Sequence, residues 1–366
     1  MSKHIVVDAR IRRAGTGRYV DRLLEHLQKI DQDNRYTVLI EPDDPWRPSA
    51  PNFMVTPCKY KQFSFNPLDQ ITFAWQLYRL KPDLVHFSMT QQPIFYFGKI
   101  VTTTHDLTML RYTRPGRLPR WLHAIRMLGY RFLFWFSHIK SKKIIVPSRF
   151  VAQDLAKYQP STKNKIVVTY EACEEKLAGS SVNPPGVKKP FIFHLGSPFP
   201  HKNIERLVEA FSRLEVRGDR LQLVLAGKKE FYFEQLENWI YTLPVKDSIV
   251  LPGRISDGEL KWLYENAEAY VLPALSEGFG LPGLEAMIHG CPLISSNATC
   301  LPEIYGHAAE FFDPENVEEM AKAISKVLDD KALRSKLIAL GSAQAKKYSW
   351  AKMATQTLAI YKEVLG

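Results

Sequence analysis

Short apolar stretches alternate along the whole chain with longer amphipathic ones, and this alternation restricts the fold more than any other feature. Strands of that length followed by crossover helices assemble as a mostly parallel sheet with helices on its faces. The first cycle reads as a strand at 4–9, a loop holding Gly15 and Gly17, a helix from Tyr19 to Ile30 and a strand at 36–40. Further strands are expected at 84–87, 100–104 and 143–147, with a basic, aromatic helical region at 118–139. Ser148 caps the helix that follows.

The stretch 181–190, with Pro184, Pro185 and Gly186, breaks both periodicities and reads as a hinge. After it the alternation restarts, with strands at 191–195, 221–226, 249–251, 269–272 and 292–295. Helices are expected between them at 204–214, 230–242, 257–266 and 281–289. The expected architecture is α/β: two Rossmann-like domains with a cleft between them, residues 1–180 and 191–345. A C-terminal helix within 346–366 is expected to pack back on the N-terminal domain. Ligands of open parallel sheets lie at the carboxyl ends of the strands, so the loops after the strands are where chemistry is sought.

Composition narrows the classes. At 45% hydrophobic and 24% charged residues the chain is globular, neither disordered nor fibrous. The longest apolar run, Phe132 to Phe136, is five residues, against the roughly 20 needed to span a bilayer. The N-terminus lacks a signal-peptide core, and the four cysteines form no metal or disulfide spacing, which fits a reducing, cytoplasmic setting. The net charge of +11 is uneven: residues 1–180 carry 28 Lys+Arg against 15 Asp+Glu, whereas residues 181–366 carry 21 against 23. Within 99–149 there are eleven basic residues and one acid, Asp106, so an anionic partner is expected there.

The most informative segment is Pro273 to Met287, a strand-to-helix turn reading PALSEGFGLPGLEAM. Gly278 and Gly280 let the backbone approach a ligand, and Pro282 fits the first helical turn, where a missing N–H costs nothing. Free amides at such a helix start attract a diphosphate. Glu277 and Glu285, eight residues apart, are placed to grip hydroxyls on either side of it. An isolated Gly-x-Gly turn with a surface glutamate would be unremarkable; the whole context argues otherwise.

The run Ser276-Glu-Gly-Phe-Gly-Leu-Pro282 with Glu285-Ala-Met287, Gly290-Cys-Pro292 and Leu301-Pro-Glu303 resembles the donor-site signature of glycosyltransferase family 4. Gly196 with His201-Lys-Asn203, Thr104-His-Asp-Leu107 and Val146-Pro-Ser-Arg-Phe150 are similar to other motifs of that family. The opening Asp8-Ala-Arg10 with Gly15-Thr-Gly17 resembles members that transfer mannose or rhamnose in surface-polysaccharide assembly. The resemblance implies the GT-B fold and retaining transfer of a hexose, with mannose as first choice and GDP-mannose as donor. The acceptor would be a glycan or lipid-linked glycan, bound by the N-terminal domain.

It also implies roles. Glu277 would bind the transferred sugar, Lys202 the donor diphosphate, and His105 the sugar from the N-terminal domain, oriented by Asp106. Glu285 would bind the ribose, while Gly278, Phe279, Gly280 and Leu281 offer backbone amides. Gly15 and Gly17 would approach the diphosphate from the other side. Ser197 stands where many members carry arginine, so His201 or Arg254 would supply the charge it lacks. No cofactor or metal is implied, because basic residues and helix starts neutralise the leaving group.

In the region 117–143, arginines and lysines interleave with Trp121, Phe132, Trp135 and Phe136. The apolar side of this helix packs inward, or it lies on an anionic membrane surface, and the two are compatible. The expected placement is cytoplasmic, peripheral at the inner face of the cell membrane. No nucleic-acid motif is present. A UDP-sugar donor, a sugar-nucleotide epimerase of the same fold and a non-catalytic nucleotide-sugar-binding subunit are the alternatives. An NAD enzyme fits poorly, because the Gly15-Thr-Gly17 loop lacks the third glycine of that fingerprint.

Overall fold

A computed structural model describes residues 2–13, 15–60, 66–173, 177–214 and 221–366. The chain forms two compact units. The first comprises residues 1–110, 118–171 and 349–366, the second residues 111–117 and 172–348.

The first unit is built on strands β1 (His4–Asp8), β2 (Arg35–Ile40), β3 (Phe53–Pro57), β4 (Leu84–Phe87), β5 (Ile100–Thr103), β6 (Lys143–Val146) and β7 (Ile166–Val168). All pairings are parallel, in the order β3-β2-β1-β4-β5-β6-β7, with Val6 opposite both Thr37 and Val85. The central strands are buried on both faces, which is why they read as near-continuous apolar runs rather than alternating ones. Val6, Val85, Phe87 and Ile100 pack against Phe73 and Leu77 of helix Pro67–Leu80. Helix Trp350–Leu365 packs against helix Gly17–Ile30, and its Tyr361 hydroxyl lies 2.5 Å from His86 Nδ1 on β4. Burial holds the His86 pKa down at about 3, so this imidazole is neutral.

The second unit carries β8 (Phe191–Leu195), β9 (Gln222–Ala226), β10 (Ile249–Gly253), β11 (Ala269–Leu272), β12 (Leu293–Ser296) and β13 (Ala309–Phe312). These are also parallel, in the order β10-β9-β8-β11-β12-β13. In each sheet the direction of strand addition reverses between the first and fourth strands, at β1/β4 and at β8/β11. A crevice opens at the carboxyl ends of such a pair, because the crossovers on its two sides leave in opposite directions. The core of this unit joins Ile192, Leu223, Val271 and Ile294 to Leu207, Phe211 and Ile324 of the covering helices.

The expected hinge at 181–190 lies inside the second unit, and the chain passes from the first unit to the second between Glu171 and Ala172. The prolines do mark an irregular stretch, but hydrogen bonds tie it down: Val182 N donates to Gly258 O and Lys188 N to Gln222 Oε1. Strand β3, helix Pro67–Leu80, β7, β13 and the helices Val317–Asp329 and Lys331–Ala345 add to the expected elements.

Candidate active site

In the second unit the β8/β11 switch point gathers most of the expected donor residues. The loop after β8 makes a single turn at Pro200–Lys202 and reverses at Asn203, which adopts a left-handed conformation (φ 60°) before helix Ile204–Ser212. Asn203 Nδ2 donates to Pro273 O at 3.0 Å and to Pro314 O at 2.8 Å, binding this loop to the end of β11. Leu275 N donates to His201 O at 2.8 Å. The two loops are thereby stitched together, and Lys202 Nζ forms an ion pair with the Glu277 carboxylate. Both side chains are largely buried while keeping a solvent-facing edge.

Glu277 is held by its backbone as well: its N–H donates to Thr299 Oγ1 (3.2 Å), and its carbonyl accepts from Cys300 Sγ (3.2 Å). Gly278, Phe279 and Gly280 complete the turn into helix Leu281–Ile288. Gly280 has φ +87°, and Tyr305 OH donates to its carbonyl at 2.5 Å. A Cβ at Gly280 or Gly283 would collide with that hydroxyl, so the local sequence is fixed by a close approach of backbone to ring. Phe279 points inward against Tyr348, leaving its backbone as the part a ligand can meet. Glu285 is buried and accepts from Tyr264 OH at 3.1 Å.

Two expected roles change. His201 is buried; that burial first, then Lys202 and Arg114, press its pKa down to about 2, so it is a neutral imidazole and supplies no charge in place of Ser197. A cation does stand beside it: Arg114 Nη2 lies 3.3 Å from His201 Nε2, and its guanidinium stacks 4.0 Å above the Phe199 ring. Arg254 is exposed on the turn after the edge strand β10, two strands away from β8. The β8/β11 pair is not where this arginine sits. Ser197 is half-buried in the loop after β8.

In the first unit, Gly17 opens helix Gly17–Ile30, and a Cβ there would strike the Arg12 carbonyl; Gly15 is exposed with open space around it. Asp8 and Arg10 form a buried two-point ion pair at the end of β1, with Arg10 Nε and Nη2 donating at 2.8 and 2.7 Å. His105 follows β5. Its Nδ1 lies 3.1 Å from Glu171 Oε1 and its Nε2 3.1 Å from Ser88 O. Asp106, the expected orienting group, instead accepts from Thr108 N at 2.7 Å. Burial opposes the charged form of His105, but Glu171, Asp106 and the Ser88 carbonyl outweigh it and raise its pKa.

The sequence holds one Asp-x-Asp stretch, Asp31-Gln32-Asp33. Its Asp31 carboxylate is engaged by Tyr36 OH at 2.5 Å and Asn34 Nδ2 at 2.8 Å, a structural cluster below helix Gly17–Ile30. Among the described residues no group of three or more His, Cys, Asp or Glu side chains converges as a metal site.

The profile of Glycosyltransferase Family 4 matches residues 13–174, and that of Glycosyl transferases group 1 matches residues 180–344. The chain is 30% identical over 302 residues to the O-antigen chain mannosyltransferase B of Escherichia coli, covering 79% of this chain and 76% of that one. The chain belongs to glycosyltransferase family 4. A second relative, the serotype-specific mannosyltransferase WbdA of Escherichia coli, is 32% identical over 230 residues, 59% of this chain and 28% of that one. The fold matches a solved sucrose-phosphate synthase from Thermosynechococcus elongatus with TM-score 0.78 and 18% identity, over 99% of both chains. Both units therefore have the Rossmann-like, parallel-sheet form of GT-B glycosyltransferases, and this family 4 chain is a glycosyltransferase. Glu171, Thr299, Tyr305 and Arg114 are positions near its candidate residues that sequence motifs alone do not mark.

Proposed function

We propose that the protein is a retaining mannosyltransferase that uses GDP-mannose and a glycan or lipid-linked glycan acceptor, working at the inner face of the cell membrane. The observation that carries the reaction is the Lys202–Glu277 ion pair at the β8/β11 switch point, beside the glycine turn that starts helix Leu281–Ile288. An ammonium group fixed there meets the charge that grows on a departing diphosphate, and amides at the helix start share it. The carboxylate of Glu277 accepts hydrogen bonds from sugar hydroxyls and Glu285 from the ribose. The choice of mannose is supported by the relatives, which include an O-antigen chain mannosyltransferase and a serotype-specific mannosyltransferase.

The acceptor hydroxyl attacks the anomeric carbon from the face that the nucleoside diphosphate leaves. The carbon–phosphate-oxygen bond breaks as the new glycosidic bond forms, and the hydroxyl proton passes to the departing phosphate oxygen. The products are a glycoside of unchanged configuration and GDP. No protein nucleophile is required.

Thermal-shift and turnover measurements with GDP, UDP, ADP, GDP-mannose and UDP-sugars test this reading. Selective stabilisation by GDP and turnover of GDP-mannose are expected. Preference for UDP ligands would overturn the sugar and the base while keeping the family. Binding of nucleotide sugars without turnover would favour a non-catalytic subunit.

A further inference from the structure

Helix Arg120–Lys140 is apolar on two sides, one of which packs Phe134 and Tyr130 into the core. It buries Met127, Phe134, Ser137 and His138, and leaves Trp121, Ile125, Leu128, Phe132, Trp135 and Ile139 exposed, Trp121 and Leu128 at 67% and 65%. The spacing of these six residues, alternately four and three, places them in one stripe along a helix roughly 30 Å long. A second stripe lies on helix Pro67–Leu80, where Leu68, Ile71, Trp75 and Tyr78 are exposed.

The segment 93–97 joins the two. Ile94 N donates to Gln70 Oε1 and Phe97 N to Tyr78 OH, both at 3.0 Å, on one side. On the other, Lys140 Nζ donates to the carbonyls of Pro93, Ile94 and Tyr96 at 2.6 to 3.2 Å. Phe95 and Phe97, the latter 66% exposed, continue the apolar surface between the helices.

We propose that this face of the first unit, formed by both helices and Phe95–Phe97, is a docking surface for an anionic lipid bilayer, into whose headgroup region its tryptophans and aliphatic side chains insert. It deepens the membrane-side placement proposed above by naming the surface. Charge selects the occupant. Helix Arg120–Lys140 carries four Lys+Arg and no Asp or Glu, and helix Pro67–Leu80 carries one of each, Asp69 and Arg79. The four-three spacing also suits a coiled-coil seam, but a second copy would bring together two faces that both carry net positive charge. A nucleic acid would match the positive charge but leave Ile125, Leu128 and Ile139 in water, whereas a lipid surface takes both. The described helices contain none long and apolar enough to cross a membrane, so the contact is interfacial.

Sedimentation of the full chain with vesicles tests this without any sugar nucleotide, so its result is separate from the donor assignment. The wild type is expected to co-sediment with phosphatidylglycerol–phosphatidylcholine vesicles, less with phosphatidylcholine alone, and to be released by high salt. Leu128→Ser with Trp135→Ser should weaken binding at least about tenfold, and so should Leu68→Ser with Trp75→Ser on the other helix. All four side chains are exposed, so circular dichroism and transfer to a soluble acceptor should be unchanged. Wild type remaining in the supernatant with anionic vesicles would overturn the proposal. So would a dimer in light scattering that Leu128→Ser with Trp135→Ser converts to a monomer, which would make this face a contact between copies.

Discussion

Glu171 Oε1 lies 3.1 Å from His105 Nδ1, and the other ring nitrogen faces the Ser88 carbonyl at the same distance. Both neighbours are acceptors, so each bond is made fully only when both nitrogens carry protons. The carboxylate therefore keeps a buried imidazole charged above the pH at which it would ordinarily lose its proton.

Replacing Glu171 by Gln leaves burial as the stronger influence, and the His105 titration followed by NMR should move to lower pH. The alkaline limb of the transfer rate should move the same way. An unmoved titration would assign the raised pKa to Asp106 and the backbone instead.

Lys202→Ala and Glu277→Ala should each reduce kcat/KM by about 100- to 1,000-fold with the circular dichroism spectrum unchanged, the range seen when one charge-stabilising group is removed from an active site. Because the two groups form an ion pair, the double variant should lose far less than the product of the single losses. Strict multiplicativity would mean that the pairing has no part in the reaction.

Stability should fall in mild acid. Burial lowers the pKa of His86 and His138 to about 3, and of His194 to about 4; with Lys202 and Arg114 assisting, that of His201 falls to about 2. A lowered folded pKa contributes stability above the unfolded value near 6.5 and loses it as pH falls towards the folded value, at about 1.4 kcal/mol per histidine per pH unit. His105 has the opposite sign: its contribution is complete below about 6.5 and is lost as pH rises through its raised pKa. Four groups outweigh one, so Tm should drop between pH 7 and pH 5, and less steeply in His138→Gln. A flat profile would contradict the neutral burial of these rings.

Gly283→Ala and Gly129→Ala should differ in sign. A Cβ at Gly283 meets the Tyr305 ring, while one at Gly129, on the exposed helix Arg120–Lys140, meets nothing within 4 Å. The first should cost about 1–3 kcal/mol from overpacking. The second should stabilise by up to about 1 kcal/mol from helix propensity. Chemical denaturation measures both.

What the sequence discloses follows from what local chemistry controls. Helix Asp257–Asn266 is legible to the residue because Ser256 and Glu259 form a reciprocal cap at its start. Strands 191–195 and 269–272 are legible because they are apolar on both faces. Strand β3 is not, since Phe53–Pro57 is a partly exposed edge that ends in proline. In the site, the glycine turn and Glu277 announce themselves through spacing. The pairings that fix them do not: Glu171 is 66 residues from His105, Asn203 is 70 from Pro273, and Tyr305 is 25 from Gly280. Such pairs arise from strand order, which periodicity leaves open. The assignment of charge to His201 fails for a related reason, because only the fold reveals that the ring is buried between two cations.

Helix Trp350–Leu365 belongs to the unit that the chain began to build at β1, and its Tyr361 meets His86 there. During synthesis the ribosome delivers this helix only after the second unit. The first sheet therefore waits, with His86 and the inner side of helix Gly17–Ile30 uncovered, until the second unit has been translated. A fragment ending at residue 171 would carry every strand of the first sheet and still lack part of its cover. The order of birth of the two units is thus the reverse of their order of completion.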